Sequence, residues 1–239
     1  MTGTLYLVPN LLGVAAPTDV LPARTIILAQ TLNHFIVETP KVARAYLKTL
    51  SPERVIADIS ITACDPLPGA LAQCAAWLKA GINVGVISDA GCPGMADPGA
   101  AFVALAHTCS VAATVVPLVG PSSVLLGLMA SGFDGQHFMF HGYLPSKPPE
   151  RDAALRALDR QVQTTGATQI FIETPYRNAA MLGALHNVIA ANTHLCIAQN
   201  LGAVGETIYA KAASAWTDAD RSRFIIKAPT LFLLGKPQG

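Results

Sequence analysis

The chain has 239 residues, of which 51% are hydrophobic and 13% are charged, and its formal net charge is +1. This length fits one large domain or two domains of about 100–120 residues. The near-neutral charge argues against a strongly basic nucleic-acid-binding protein and leaves room for a local basic patch. The five cysteines form no C-x-x-C pair, which predicts reduced thiols and neither a disulfide framework nor a zinc site.

The longest stretch without Lys, Arg, Asp or Glu runs from Pro98 to Phe133, and by length alone it could span a membrane. Pro117 and Pro121 interrupt it, which favours buried helices, a strand and a turn. At the amino terminus no Lys or Arg precedes the apolar residues and Pro9 breaks the run, so a first strand is favoured over a signal peptide. We therefore expect a cytoplasmic protein with no membrane partner.

The first part of the chain alternates between predicted strands and helices. Apolar, β-branched runs predict strands over Thr4–Val8, Phe35–Val37, Val55–Ile61, Val84–Ile87 and Val111–Val116. The intervening segments predict helices after Pro22 and over Lys41–Leu50, Leu67–Ala80, Pro98–Cys109 and Ser123–Ser131. This alternation is typical of an open, mostly parallel α/β sheet.

The pattern changes in the second part of the chain. Strands are predicted over Phe138–His141, Gln169–Ile172, Leu195–Ala198, Thr207–Ala210 and Thr230–Leu234, and helices over Glu150–Thr164 and Pro175–Ala191. This order indicates a mixed α+β domain. By composition, the proline-rich segment Gly142–Pro149 is the best candidate for a domain boundary.

Small-residue loops follow two of the predicted strands. The sequence VGVISDAGCPGMADPG over Val84–Gly99 is a buried strand followed by such a loop, and Gly120-Pro121-Ser122-Ser123 repeats the pattern. Ligands bind at the carboxyl ends of parallel strands, and small residues let them approach the backbone. The alternatives are two ordinary turns, with Asp89 capping a turn and the serines capping a helix.

The sequence contains no G-x-S-x-G, Walker A or G-x-G-x-x-G motif. Isolated carboxylates stand instead at predicted strand ends, at Glu38, Asp89 and Glu173. Such a site suits a bulky, partly apolar ligand held by backbone groups, with catalysis arising from the positioning of two reactants. His137 and His141 share one face of a predicted strand, where packing is favoured over metal binding, and we assign no metal site.

Five segments, GTLYLVP, VISDAGCPGMADPG, VVPLVGPSSVLLGLMASG, FMFHGYLPSK and IFIETPYR, occur in this order over nearly the whole chain. Together they resemble the tetrapyrrole methylase superfamily, and within it the ribosomal small-subunit RNA cytidine-2′-O-methyltransferase branch. The resemblance implies an S-adenosylmethionine-dependent methyltransferase, usually a homodimer, with the cofactor in a cleft between two α/β domains. We assign these domains to residues 1–117 and 118–239.

By position, the resemblance implies a cofactor site drawn from both domains. Its predicted residues are Pro9, Ser88, Asp89, Ala90, Gly91, Pro93, Gly120, Pro121, Ser122, Ser123, Ile172, Glu173, Pro229 and Thr230. Four features depart from the RNA-methylase pattern: the loop Pro9–Gly13, the segment Glu38–Lys41, the segment Ala198–Gly202, and the end of the chain near its last strand. The prediction of the cofactor is therefore better supported than that of the acceptor.

The favoured acceptor is RNA of the small ribosomal subunit. Positive side chains around the predicted linker and the second domain could hold phosphates; they are Lys147, Arg151, Arg156 and Arg177. Two tyrosines, Tyr143 and Tyr176, could stack on unpaired bases. The alternative is a solvated charged helix with two packed tyrosines. Glu38, Glu173 and Lys147 are candidates for the proton acceptor, and none is assigned. A methyltransferase for a tetrapyrrole or other metabolite, and a non-catalytic S-adenosylmethionine-binding module, remain the alternatives.

Overall fold

The computed structural model describes residues 2–108, 110–224 and 227–237. Its contacts divide the chain into two compact units, Met1–Ser122 and Ser123–Gly239. Among the described residues, every helix is too short or too polar to cross a membrane.

The first unit is a parallel α/β sheet. Its strands are β1 (Thr4–Leu7), β2 (His34–Val37), β3 (Ser60–Ala63), β4 (Val84–Ile87) and β5 (Thr114–Pro117). They lie in the order β3-β2-β4-β1-β5, and all the pairings are parallel. The helices are α1 (Pro17–Val20), α2 (Ala23–Thr31), α3 (Pro40–Leu50), α4 (Leu67–Lys79) and α5 (Ala100–Ala106). Because the strands are parallel, the loops that follow them meet at one edge, here called the carboxyl edge.

The sheet of the first unit is covered on both faces. Val84 and Val86 of β4 pack in one apolar cluster with residues of α4 and α5, including Phe102. Ile87 packs in a second cluster with Phe35 and with residues of α2 and α3. Every residue of β4 is buried, as expected for the central strand of a parallel sheet. This burial explains why the strand is an uninterrupted apolar run.

Three predicted boundaries in the first unit are wrong, because local turns use the backbone groups. The N–H groups of Asp58 and Ile59 donate within a 3₁₀ turn, so the strand predicted over Val55–Ile61 begins only at Ser60. In the same way, Val111 and Ala112 donate to Thr108, so β5 begins at Thr114 and not at Val111. The helix predicted over Pro98–Cys109 spans Ala100–Ala106, and Cys109 lies outside the described residues.

The second unit is a mixed sheet with helices. Its strands are β6 (Phe138–Tyr143), β7 (Thr168–Glu173), β8 (His194–Gln199), β9 (Thr207–Ala212) and β10 (Thr230–Gly235), in the order β6-β7-β10-β8-β9. Only β6 and β7 pair in parallel among these described strands. The helices are α6 (Ser123–Ser131), α7 (Pro148–Thr165), α8 (Asn178–Val188) and α9 (Asp218–Arg221). The two-domain α/β architecture expected from the sequence is confirmed.

The prediction of a domain boundary at Gly142–Pro149 is wrong. Tyr143 pairs with Ile172 in the sheet, Leu144 is buried in the core of the second unit, and Pro148 begins α7. The segment therefore connects two elements of one unit, and its prolines mark the start of a helix. The helix predicted over Pro175–Ala191 is also shorter, at Asn178–Val188, because a turn closed by Arg177 N–H and Thr174 C=O precedes it.

Replacement of Gly85 by alanine tests the packing of the central strand. A Cβ at this position would lie 2.6 Å from a ring carbon of Phe35, which is fully buried. We expect Gly85→Ala to lower the free energy of unfolding by about 1–3 kcal/mol through overpacking, measured by urea denaturation. Gly69→Ala in α4 is the matched control, because nothing lies within 4 Å of its Cβ. Equal stability of Gly85→Ala and the wild type would contradict the packing described here.

Candidate functional site

Asn10 joins the loop after β1 to the loop after β4. Its side-chain amide donates to the carbonyl oxygens of Ser88, at 3.1 Å, and Asp89, at 3.0 Å, and its backbone N–H donates to Gly91 C=O at 2.8 Å. Asn10 is only 5% exposed, so these bonds are shielded from water. Three carbonyl groups of the predicted cofactor loop are thus held by one residue.

The loop after β1 is itself held from α3. The hydroxyl of Tyr46 donates to Pro9 C=O at 2.6 Å, and burial raises the pKa of Tyr46. The hydroxyl therefore stays neutral and remains a donor. The predicted site residue Pro9 is positioned by this bond, together with the backbone bond from Val8 N–H to Val86 C=O.

Asp89 is bonded to the loop after β2. Its two carboxylate oxygens accept from Thr39, one from the backbone N–H at 3.0 Å and the other from the hydroxyl at 2.7 Å. In return, the N–H of Asp89 donates to Glu38 Oε2 at 2.9 Å. The carboxylate of Asp89 thus joins the loop after β4 to the loop after β2, and the bond from its N–H brings its charge beside that of Glu38.

The loop after β5 packs closely against the loop after β1. A Cβ on Gly120 would lie 2.3 Å from two side-chain carbons of Pro9, so the contact requires glycine. The thiol of Cys92 lies 3.3 Å from Pro121 C=O, which joins this loop to the loop after β4. The structure therefore brings together Pro9, Ser88, Asp89, Gly91, Gly120 and Pro121 in the first unit.

Ser122 and Ser123 follow Pro121 directly in the chain. Neither hydroxyl has a hydrogen-bond partner among the residues that the structure describes. Ser122 is the last residue of the first unit, and Ser123 is the first residue of the second.

Asp97 is a carboxylate at this edge that the sequence reasoning missed as a site residue. Burial, followed by the charges of Glu38 and Asp89, raises the pKa of Asp97 to about 6. The same two charges, after burial, also contribute to the raised pKa of the Cys64 thiol just beyond β3. We call Glu38, Asp89 and Asp97 the acidic group. The sequence signal that could have identified Asp97 is its position two residues before Gly99, the glycine that caps α5.

In the second unit, polar residues lie side by side at the ends of three strands. Thr230 of β10 is in register with Glu173 of β7 and with Gln199 of β8, and all three are buried. The amide of Gln199 donates to Thr230 Oγ1 at 2.9 Å. The predicted residues Glu173 and Thr230 thus share one edge, next to Ile172 in β7 and Pro229 just before β10.

Glu173 forms an ion pair, and Asn178 supports the neighbouring strand. Glu173 Oε1 accepts from Arg177 Nη2 at 2.7 Å and from the N–H of Thr174 at 2.6 Å. The amide nitrogen of Asn178, which is fully buried, donates to Ala228 C=O and to Thr230 Oγ1. In the part of the chain that the structure describes, the amide oxygen of Asn178 is buried and has no partner.

The predicted acceptor residues differ in their availability. Arg151 is only 12% exposed and pairs with Asp152, whereas Lys147 and Arg156 are exposed and form no ion pair within the described residues. Tyr176 is 82% exposed, and Lys227 Nζ lies 6.0 Å from its ring centre.

Of the remaining candidate side chains, Tyr143 and His141 belong to β6, and His137 comes directly before it. The Tyr143 side chain is exposed. His141 bonds to Gln169 at 2.8 Å, and His137 bonds to Asp134 at 3.2 Å. Each histidine ring therefore has a hydrogen-bond partner on a neighbouring polar side chain.

The chain is similar to curated proteins named ribosomal RNA small subunit methyltransferase I. It is 31% identical to the one from Buchnera aphidicola subsp. Schizaphis graminum over 150 residues, which cover 62% of this chain and 50% of the relative. It is 32% identical to the one from Micromonospora olivasterospora over 200 residues, or 84% of this chain and 60% of the relative. The resemblance to this methyltransferase branch is confirmed. The chain spans about half the length of the curated relatives it matches.

The fold also matches solved structures. The crystal structure of uroporphyrin-III-C-methyltransferase from Thermus thermophilus aligns with a TM-score of 0.58 at 15% identity, covering 99% of this chain and 93% of that one. At this identity the match shows a shared fold. No family model matches the chain.

The amide of Asn10 can be tested directly. We expect Asn10→Ala to lower the free energy of unfolding by about 1–3 kcal/mol, because two carbonyls lose a buried donor. Asn10→Asp should cost more, since a carboxylate oxygen would then face those carbonyls. Chemical denaturation measures both. The matched control is Asn192→Asp, an exposed residue whose amide makes one bond of 3.5 Å. Equal stability of Asn10→Asp and this control would show that the bonds contribute little.

Proposed function

We propose that this protein is an S-adenosylmethionine-dependent methyltransferase that methylates a ribose 2′-hydroxyl in RNA of the small ribosomal subunit. The observation that carries the proposal is the similarity to curated methyltransferases acting on that RNA, at 31–32% identity over 150 and 200 residues. Because the matched region is about half of those proteins, the activity and the acceptor belong to the proposal.

The residues at the two sheet edges fit S-adenosylmethionine. This molecule carries a positive sulfonium and a positive amino group, and the acidic group of the first unit provides a negative field that favours cations. In the second unit the unpartnered amide oxygen of Asn178 is an acceptor suited to a donor such as an adenine amino group. When bound, the molecule supplies an electrophilic methyl group.

The residues proposed to hold S-adenosylmethionine are those predicted from the resemblance. In the first unit they are Pro9, the loop Ser88–Pro93 and the segment Gly120–Ser122, whose mutual contacts support a built ligand site. In the second unit they are Ser123, Ile172, Glu173, Pro229 and Thr230. Asp89 contributes here through its charge, since both of its carboxylate oxygens already accept from Thr39 and its N–H donates to Glu38.

Single-stranded RNA is supported as the acceptor by exposed aromatic and positive side chains of the second unit. Tyr176 presents its ring to solvent beside Lys227, which is a suitable arrangement for stacking on an unpaired base. Lys147 and Arg156 are available for phosphates, whereas Arg151 is engaged by Asp152. A ribosomal acceptor also implies action in the cytoplasm, and the resemblance implies a homodimer.

Methyl transfer tests this function. Purified protein is incubated with S-[methyl-³H]adenosylmethionine and with small ribosomal subunits from a strain that lacks the gene, and the nucleosides are analysed by mass spectrometry. We expect one 2′-O-methylnucleoside to appear in small-subunit RNA and none in large-subunit RNA. Label entering only tetrapyrroles or other metabolites would overturn the RNA acceptor. Tight binding of the donor without transfer to any of these would indicate a binding module.

Tyr176 tests the proposed RNA surface. We expect Tyr176→Ala to lower kcat/KM for the RNA substrate by about 5- to 150-fold, which corresponds to the 1–3 kcal/mol of one base–aromatic stack. Tyr176→Phe keeps the ring and should retain activity close to that of the wild type. Affinity for S-adenosylmethionine, measured by calorimetry, serves as the control and should not change. If Tyr176→Ala matches the wild type on RNA, this tyrosine does not contact the acceptor.

A further inference from the structure

We propose that the exposed face of helix α3 binds phosphate groups of the RNA acceptor, a role that rests on the proposed function. Three positive side chains, Lys41, Arg44 and Lys48, are exposed on this helix. We call them the basic stripe. They belong to the first unit, whereas the acceptor residues predicted from the sequence all belong to the second. The stripe is therefore a further surface for the acceptor.

The spacing of the basic stripe places its three side chains on one side of α3. Residues three and four apart are neighbours on a helix surface, with Cβ atoms about 5–6 Å apart. The other side of the helix packs into the first unit, and its buried residues are Ala43, Tyr46, Leu47 and Leu50. At a rise of about 1.5 Å per residue, the stripe is about 10 Å long. That length matches about three phosphate steps of one nucleic-acid strand, at about 3.4 Å each.

The charges of the basic stripe are not compensated within the first unit. Helices α2 and α3, which pack against each other, contain no Asp or Glu. Glu38 and Glu53, the nearest acidic residues along the chain, lie outside α3, and neither forms an ion pair with the stripe in the part of the chain that the structure describes. Lys48 donates to the carbonyl oxygen of Arg54 at 3.1 Å, and the other two side chains have no partner within that part. The stripe is therefore free to bind an anion.

The arrangement of these charges is unfavourable for the helix alone. Lys41 lies in the first turn of α3, where the helix dipole favours a negative charge, and this turn has no acidic residue. Arg44 stands three residues after Lys41 and four before Lys48, and like charges at these spacings destabilise a helix. An anion bound along the stripe removes both unfavourable effects. Local choices of this kind are expected at functional sites.

Helix α3 is fixed to the loops that we propose hold the methyl donor. Thr39, just before the helix, donates to both carboxylate oxygens of Asp89, at 3.0 and 2.7 Å. From the buried side of the helix, the hydroxyl of Tyr46 donates to Pro9 C=O at 2.6 Å. Asp89 and Pro9 are both predicted cofactor residues. The stripe thus begins at Lys41, beside the carboxyl edge, where an acceptor held by its phosphates meets the donor loops.

The composition of this face favours RNA over a lipid surface or a protein. A helix that lies on a membrane inserts an apolar face into it, whereas the apolar face of α3 is buried in the first unit. None of the exposed large hydrophobic side chains of the described residues belongs to α3. Ala45 and Thr49 are the exposed neighbours of the positive residues, so the face also lacks the aromatic anchors of protein interfaces. Positive side chains without apolar anchors are suited to phosphates.

The salt dependence of RNA binding tests the stripe. Affinity for fluorescein-labelled oligouridine is measured by fluorescence anisotropy between 50 and 200 mM KCl, the range over which phosphate contacts weaken strongly. We expect Lys41→Gln/Arg44→Gln/Lys48→Gln to make the slope of log affinity against log salt shallower by about 2, since each single-strand phosphate contact contributes about 0.7. Over this range the affinity of the wild type should therefore fall about 20-fold more than that of the triple variant.

Single variants supply the matched control. We expect Arg44→Gln to reduce the slope by about 0.7. Lys79→Gln removes one exposed charge from α4, which packs on the other face of the sheet, and it should leave the slope unchanged. Lys41→Arg/Lys48→Arg keeps the charges and should also keep the slope. Equal slopes for Arg44→Gln and Lys79→Gln would overturn the proposal.

Melting temperature separates binding from stability. Glutamine is a good helix former, and its introduction removes the repulsion between like charges. The triple variant should therefore melt at the temperature of the wild type or above it. A lower melting temperature would overturn the proposal, because it would assign these side chains to the stability of α3.

The methyl-transfer assay distinguishes the two proposals. With small ribosomal subunits as substrate, the triple variant should raise KM and leave kcat and the affinity for S-adenosylmethionine unchanged. If the wild type methylates the subunits and the triple variant has the same KM and slope, the stripe does not contact RNA and the proposed function stands. If the wild type transfers no methyl group to RNA, the proposed function fails and the stripe fails as an acceptor surface. Binding to phosphatidylserine vesicles and not to oligouridine would overturn the stripe in favour of a lipid surface.

Discussion

The hydrogen bonds of Asn10 are the constraint on which the first unit's carboxyl edge depends. A loop after a buried parallel strand has carbonyl groups that neither the sheet nor the following helix can satisfy. Here one buried side chain and its backbone satisfy three of them, at Ser88, Asp89 and Gly91. With the loop after β4 fixed in this way, Asp89 can bond to Thr39 and Cys92 can approach the loop after β5. The small residues of this loop leave its backbone accessible to a ligand, while the hydrogen bonds hold the loop in place.

The same constraint explains the electrostatics of this edge. Since Asn10 and Thr39 fix the loop after β4, the carboxylates of Glu38, Asp89 and Asp97 are held close enough for their charges to interact. Burial raises the pKa of Asp97, and the neighbouring negative charges of Glu38 and Asp89 raise it further. The edge of the second unit has a different character, with Thr230 and Gln199 neutral and the charge of Glu173 paired with Arg177. One edge therefore suits a cation and the other suits neutral hydrogen-bonding groups.

Most of the fold could be predicted from local patterns, because buried strands and apolar helices carry their own signal. The strand Val84–Ile87 and the helix Ser123–Ser131 match the prediction residue for residue. The errors fall where backbone hydrogen bonds decide between a turn and a strand, as at Asp58 and Ile59. Prolines were misinterpreted at Gly142–Pro149, where they begin a helix within one unit. Composition does not distinguish a helix start from a linker.

The site was predictable only in part, for a related reason. Small-residue loops and the resemblance indicated which segments matter, but the contacts of Asn10 with Ser88 and Asp89 join residues nearly 80 positions apart. Asp97 lies just before the predicted helix Pro98–Cys109, and its raised pKa arises from burial and then from the charges of Glu38, on another loop, and Asp89, earlier in the same loop. Asn178 carried no motif at all, and its significance lies in one buried oxygen without a partner among the described residues.

Isothermal titration calorimetry with S-adenosylmethionine, repeated with S-adenosylhomocysteine, tests the central claim most directly. The proposed methyl-donor site predicts saturable binding of both compounds with one molecule per chain. Competition between them should show that they share the site. Absence of binding heat, together with an unchanged melting temperature at millimolar concentrations of either compound, would contradict the assignment of this protein as a methyltransferase.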